Sequence, residues 1–138
     1  MIELSSAVVL LFSSLYGPAS TALAQDVINN NNTGPQIETA VTLEQYVQNY
    51  FAETPVLAKI SKCESNYRQF DDQGNILRGE ITTDDVGLMQ INEFFHAKIA
   101  KDMNLDLHTI DGNLAYAKYL YEKKGTAPWK ASEKCWNK

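Results

Sequence analysis

The sequence predicts a mainly α-helical (α+β) domain of about five helices with a small β-hairpin. Three observations carry this prediction. Apolar residues recur at helical spacing in several separate segments of the chain. Helix-capping residues and prolines stand where these segments begin. A short polar stretch with a glycine, Asp72-Gln73-Gly74, is typical of a hairpin turn.

The first two helices are predicted around a Thr-Pro pair. Thr42 and Gln45 match a capping box, in which the hydroxyl and the amide each bind a backbone N–H that the helix leaves free. Thr54 then fits the N-cap of the next helix and Pro55 its first position. The apolar residues expected to face the core are Leu43, Tyr46, Val47, Tyr50 and Phe51 in the first helix, and Val56, Leu57, Ile60 and Cys63 in the second.

The middle of the chain predicts the hairpin, with strands over residues 67–71 and 75–81. Further helices are expected over residues 89–103 and after Asp111-Gly112-Asn113, the latter ending at Gly125. We expect Trp129 and Trp136 to pack the closing segment against the body. Core candidates in the first of these helices are Phe94, Phe95, Ile99 and Met103, and in the second Leu114, Ala117, Leu120 and Tyr121.

The chain divides into three parts. Residues 1–24 are predicted to be a signal peptide, because an apolar run over residues 7–12 is followed by Ala22-Leu23-Ala24, a small-residue cleavage pattern. The alternative is a buried helix, since Glu3 stands where a basic residue is usual. Residues 25–41 are predicted to be a flexible Asn-rich linker. Residues 42–138 then form the folded domain.

Charge and cysteine content narrow the function. The net charge is −5 and no block of Lys and Arg stands out, which argues against a nucleic-acid partner. In an exported protein, Cys63 and Cys135 are expected to form a disulfide, the alternative being two buried thiols. Two isolated cysteines make no convincing zinc site, and the sequence indicates neither a metal nor a cofactor. After signal cleavage we expect no membrane span.

Glu64 is the candidate catalytic residue. It lies one helical turn beyond Ile60, so its carboxyl group is expected beside an apolar face. Burial there would raise its pKa, so that the group could still be protonated near neutral pH and act as an acid. In the segment 87–92, Gly87 would let the backbone approach a ligand. Gln90 offers a donor and an acceptor to polar groups of a bound ligand.

Three motifs together resemble the lytic transglycosylase (SLT) domain of the lysozyme-like superfamily. They are Glu64-Ser65, the run from Gly87 to Ile91, and Asn113 with the residues after it. The closing Trp129-Lys130-Ala131-Ser132 also resembles the ending of several lysozymes. The resemblance implies a lysozyme-like fold with a hairpin beside the cleft and Glu64 as acid and base. It implies the substrate-binding residues Ser65, Gly87, Leu88, Met89, Gln90, Ile91, Asn113 and Tyr116.

The third motif departs from the family pattern. Ala117 replaces a glycine, and Leu120-Tyr121 stands where Tyr-Leu is expected. The tyrosine that reaches the cleft could therefore be Tyr116, Tyr119 or Tyr121, and we prefer Tyr116.

The resemblance also implies a substrate. We expect an exported monomer, secreted or in the cell envelope, that cleaves the β-1,4 bond between N-acetylmuramic acid and N-acetylglucosamine in peptidoglycan glycan strands, forming 1,6-anhydromuramic ends. One alternative is a lysozyme-type hydrolase, with Asp85 as a second carboxylate that activates water. The other is a non-catalytic wall-binding module, which an exposed Glu64 or a cleft blocked by Phe94 or Tyr67 would favour.

Overall fold

The computed structural model describes residues 40–138, which form five α-helices, a two-stranded antiparallel sheet and one 3₁₀ helix. The predicted mainly α fold with a small hairpin is confirmed. The predicted signal peptide and all but the end of the predicted linker lie outside the described residues. The elements are α1 (Leu43–Tyr50), α2 (Pro55–Ser65), β1 (Asp85–Val86), β2 (Ile91–Asn92), α3 (Glu93–Asp102), α4 (Ile110–Lys124), a 3₁₀ helix (Ala127–Ser132) and α5 (Glu133–Trp136).

The start of α1 has the predicted capping box. The Thr42 hydroxyl accepts from the Gln45 N–H at 3.2 Å, and the Gln45 side chain accepts from the Thr42 N–H at 3.0 Å. Val47 and Phe51 are fully buried, whereas Tyr46 and Tyr50 remain 39% and 37% exposed. The stripe that packs on the body is therefore narrower than the apolar pattern predicted.

The second helix begins at Pro55, as predicted, although the Thr54 side chain makes no capping hydrogen bond. Leu57 and Ile60 are fully buried. The helix ends at Asn66, whose φ of 52° is left-handed, a conformation that asparagine tolerates better than most residues. Glu64 is thus held in the last turn of a well-packed helix.

The predicted strands over residues 67–71 and 75–81 are wrong. This region takes part in two isolated bridges, Phe70 with Ile76 and Arg78 with Val86, and forms no continuous strand. The first bridge closes a turn in which the Asp71 carboxylate accepts from two backbone N–H groups. The turn was correctly located. Backbone hydrogen bonds cross it from Asp71 to Asn75 and from Leu77 to Gln69, and the Asp71 side chain adds to them, but no continuous strand ladder forms.

The sheet forms later in the chain, where Asp85 pairs with Asn92 and Val86 with Ile91. Between the paired residues lies the four-residue segment 87–90, called here the GLMQ loop. Gly87 and Gln90 reverse the chain with φ values of 71° and 47°. The motif expected to begin a helix therefore forms the tip of a hairpin.

Helix α3 consequently starts at Glu93 rather than at Met89, with the Asn92 side chain as its cap. The predicted core residues of this helix are exposed, and Ala100 is the buried one. The helix lies at the surface, where Ala100 is its one buried residue and Ala97 is exposed, so its apolar pattern did not identify the packed face. The exposed residues are Phe94, Phe95, Ile99 and Met103.

Helix α4 and the closing segment complete the core. Thr109 caps α4, which starts at Ile110 and therefore includes the Asp111-Gly112-Asn113 run expected to precede it. Gly125 ends the helix as predicted. Trp129 and Trp136 are buried, as expected of residues that hold the tail to the body. Three of the four core residues predicted in α4 are buried: Leu114, Ala117 and Leu120.

The disulfide between Cys63 and Cys135 is present, with the two Cα atoms 6.0 Å apart. It joins the last turn of α2 to α5. Among the helices of residues 40–138, none is long and apolar enough to cross a membrane.

Candidate active site

A cleft with a volume of about 370 Å³ opens beside the last turn of α2. It adjoins a second cavity of about 440 Å³. Glu64, Asp85, Gln90 and Ala131 line both cavities, so Glu64 lies where they meet. An extended molecule that crossed this region would therefore pass the carboxyl group with contacts on either side of it.

The Glu64 carboxyl group is partly removed from water. Its desolvation raises its pKa above the ordinary value, and the negative charge of Asp85 raises it further. The hydrogen bond from Ser132 acts in the opposite direction, because the hydroxyl donates to Oε1 and stabilises the carboxylate. Desolvation is the largest of these effects, so the net direction is upward.

Ser132 reaches Glu64 because two tryptophans position it. Its Oγ lies 2.6 Å from Glu64 Oε1 and accepts from the indole N–H of Trp136 at 3.1 Å. The Trp136 N–H is also 3.1 Å from the carbonyl oxygen of Trp129. The closing segment thus supplies a fixed hydrogen-bond donor to the carboxyl group.

The disulfide strengthens this arrangement. Cys63 precedes Glu64 in sequence, and Cys135 precedes Trp136. The covalent link therefore restrains the two segments that carry the carboxyl group and its partner at the point where they meet.

The GLMQ loop is held from below by side chains of α2. The Ser65 hydroxyl donates to the carbonyl oxygen of Leu88 at 2.8 Å, and that of Ser61 lies 3.3 Å from the same oxygen. Leu88 and Met89 insert fully buried side chains into the core. The Met89 carbonyl also accepts from the Trp129 indole at 2.9 Å.

Two buried amides fix the remaining backbone of the loop. Gln69 accepts from the Leu88 N–H at 2.9 Å, and Asn113 accepts from the Met89 N–H at 2.9 Å. A Cβ atom at Gly87 would lie 2.5 Å from Gln69 Oε1 and 2.7 Å from Asn113 Nδ2. Gly87 is thus needed for the close approach of these two amides rather than of a ligand.

The predicted site residues separate into two groups. Glu64, Gln90 and Ile91 line the cleft, and so does Asp85, the possible second carboxylate. The others lie beneath it, where they support the loop or the core: Ser65, Gly87, Leu88, Met89, Asn113 and Tyr116. Because these side chains are buried, they support the cleft rather than making the direct contact with a substrate that had been expected.

The expected tyrosine contact is also corrected. Tyr116 is fully buried, and neither Tyr119 nor Tyr121 lines the cavities beside Glu64. Leu120 lies in the cleft wall instead. The third motif has Leu120 where the family pattern has a tyrosine, and at this position the cleft wall is apolar.

Sequence reasoning assigned no role to three residues of this site. Ser132 was visible in the closing Trp-x-x-Ser pattern, but nothing placed it against Glu64. Gln69 gave no signal, because a glutamine in a polar segment rarely indicates a buried amide. His96 lines the cleft, but in the helix that contains it the prediction concerned the apolar residues, as core candidates.

Within residues 40–138, no group of His, Cys, Asp and Glu side chains is arranged to hold a metal ion. Comparison of the chain with protein-family models, curated proteins and solved structures finds no match. A half-buried carboxyl group with a raised pKa, in a cleft with a second carboxylate, is suited to general acid catalysis.

Proposed function

We propose that this protein is a peptidoglycan lytic transglycosylase in which Glu64 acts as the acid and then as the base. The observation that carries the proposal is the position of Glu64, half-buried with a raised pKa where two cavities meet. The resemblance of Glu64-Ser65 and of the GLMQ loop to the motifs of that family supports it.

The proposed reaction needs one protein carboxyl group. Protonated Glu64 donates its proton to the oxygen between N-acetylmuramic acid and N-acetylglucosamine while the bond from that oxygen to C1 of the muramic acid breaks. The acetamido group of the substrate stabilises the positive centre. The Glu64 carboxylate then takes the proton of the muramyl 6-hydroxyl, whose oxygen bonds to C1 and closes the 1,6-anhydro ring.

Desolvation and the Ser132 hydrogen bond shift the pKa of Glu64 in opposite directions, which suits its roles as acid and then as base. Desolvation favours the protonated acid of the first step. The Ser132 hydroxyl favours the carboxylate that the first step leaves and that acts as the base in the second step, and the tail holds this hydroxyl in place before the reaction begins.

Features of the cleft favour an enzyme that acts on a polymer over the non-catalytic wall-binding module. The cavities extend to both sides of Glu64, as binding of several sugars requires. Phe94 and Tyr67, which could have blocked the cleft, line neither cavity. The disulfide fits an exported protein that acts on a cell wall.

The test is mass spectrometry of purified peptidoglycan digested by the protein, with Glu64→Gln as the matched control. We expect muropeptides with 1,6-anhydromuramic ends from the wild type and none from the variant. The rate should fall as the pH rises through the raised pKa of Glu64, because the acid form disappears. Absence of any cleavage by the folded wild type would refute an enzymatic role.

Hydrolysis is the second candidate, because Asp85 lines the same cavities as Glu64 and its charge raises the pKa of that group. Asp85 accepts from the Asn92 side chain at 2.8 Å, which would hold its carboxylate ready to activate water. Ordinary reducing ends in the digest, abolished by Asp85→Asn, would establish this alternative. Anhydro ends that persist in Asp85→Asn would exclude it.

A further inference from the structure

His96 lies in the wall of the candidate cleft, although it belongs to none of the motifs that predicted the site. It stands four residues after Asn92 in the chain, and both side chains line the cavity that contains Glu64. Asn92 caps α3, so the first turn of this helix borders the cleft. The imidazole is therefore available to a bound molecule.

A buried tyrosine contacts the same ring from behind. Tyr116 Oη lies 3.0 Å from His96 Nδ1, and the two ring centroids are 5.5 Å apart. Tyr116 is fully buried in the core. Burial raises the pKa of its hydroxyl, which therefore keeps its proton.

This contact selects one tautomer of the neutral imidazole. Burial and the nearby Lys124 charge lower the pKa of His96, so the ring is neutral near pH 7. If Nδ1 carried the proton, the Tyr116 hydroxyl would accept it and be left without an acceptor for its own proton. Such a buried, unpaired donor is costly. The favourable arrangement has the Tyr116 O–H donating to Nδ1, with the ring proton on Nε2.

Nε2 has no hydrogen-bond partner in the described residues. In that part of the chain no buried side-chain nitrogen or oxygen lacks a partner, so Nε2 is not a buried atom. The open space that His96 lines is the cleft. The Nε2–H group is thus a donor free to bind there.

We propose that His96 is a substrate-positioning residue whose Nε2–H, fixed by Tyr116, donates to a sugar oxygen in the cleft beside Glu64. The acceptor is a hydroxyl or acetamido oxygen of the glycan, over the wall formed by Leu120 and Trp129. Apolar walls with a few fixed polar groups are typical of such binding sites. The inference rests on the proposed function, because the glycan is its ligand.

The tautomer is tested first, by ¹⁵N NMR of the histidine rings, which separates protonated from unprotonated ring nitrogens. The chain has two histidines, so His108→Gln assigns the signals of the other one. We expect unprotonated Nδ1 and protonated Nε2 at His96 in the wild type, and a mixture of tautomers in Tyr116→Phe. A proton on Nδ1 in the wild type would overturn the inference.

Binding is tested separately from catalysis. The Glu64→Gln protein is titrated by calorimetry with a tetrasaccharide of alternating N-acetylglucosamine and N-acetylmuramic acid, which it should not cleave. Adding His96→Leu should weaken binding about tenfold, the usual effect of one lost hydrogen bond. Adding His96→Gln, whose amide N–H can replace Nε2–H, should restore most of the affinity. His108→Gln is the control that should leave it unchanged.

The outcomes separate this inference from the proposed function. If the wild type cleaves no peptidoglycan but tetrasaccharide binding still depends on His96, the inference stands and the proposed catalysis falls. If His96→Leu binds as tightly as its parent, or if no variant binds the tetrasaccharide, the positioning role is refuted.

Discussion

Replacement of Gly87 by alanine tests the packing that shapes the GLMQ loop. Gly87 has a φ of 71°, which costs a residue with a Cβ about 1–2 kcal/mol. The new Cβ would also lie 2.5 Å from Gln69 Oε1 and 2.7 Å from Asn113 Nδ2. Crowding of this kind in a packed interior adds about 1–3 kcal/mol. We therefore expect Gly87→Ala to lower the free energy of unfolding by about 2–5 kcal/mol.

Gly74 provides the matched control. Its φ of 84° is also left-handed, but a Cβ atom there meets nothing within 4 Å. Gly74→Ala should therefore lose only the conformational part, about 1–2 kcal/mol. Both free energies are measured by urea unfolding with the disulfide intact. Equal losses in the two variants would refute the reasoning, because they would show that the amides of Gln69 and Asn113 move aside at no cost.

Three further predictions concern the carboxyl group, a buried amide and the disulfide. Folding raises the pKa of Glu64, so the folded state binds this proton more tightly than the unfolded state does. The free energy of unfolding should therefore fall as the pH rises from the unfolded pKa of about 4.3 through the folded pKa. Allowing for solvent screening, Glu64→Gln should be more stable at pH 7 by at most about 1 kcal/mol, and urea titrations that give both proteins the same pH dependence would contradict this. Asn113→Leu should lose at least about 2 kcal/mol by urea unfolding, because the Met89 N–H and the Val86 carbonyl lose the Asn113 side chain, whereas the Leu107 carbonyl keeps its bond from Gln69. A loss under about 1 kcal/mol would show that the two groups find other partners. Removing both Cys63 and Cys135, which are 72 residues apart, should lower the free energy of unfolding by about 4 kcal/mol in the chain-entropy model. Thermal unfolding of the double variant with serine at both positions measures this loss. An unchanged transition temperature would argue against a stabilising restraint by the disulfide.

Features that depend on neighbours in the chain could be predicted from the sequence. The capping box at Thr42 and Gln45 formed because its two hydrogen bonds span only three residues. Pro55 begins α2 because its ring suits the first helical position. The position of Glu64 beside an apolar face followed from helical spacing alone.

Features that depend on which distant segments meet could not be predicted in this way. The helical pattern of α3 did not reveal that its aromatic residues would face outward. The hairpin was placed at the wrong residues, because local turn chemistry does not decide which strands find a partner. The glycine of the GLMQ loop was correctly marked as a close approach, but its neighbours are two amides from other parts of the chain.

The sequence by itself determined the starts of α1 and α2, since each follows from residue type and short-range spacing. The disulfide partners followed from there being two cysteines in the chain, and the candidate acid followed from the resemblance of its motifs to those of lytic transglycosylases. The tertiary structure alone decided the surroundings of that acid. Ser132 donates to Glu64 across 68 residues of sequence, and the Tyr116 hydroxyl of α4 lies 3.0 Å from Nδ1 of His96 in α3. Such contacts depend on how whole elements pack, and packing is a property of the entire core rather than of any one segment.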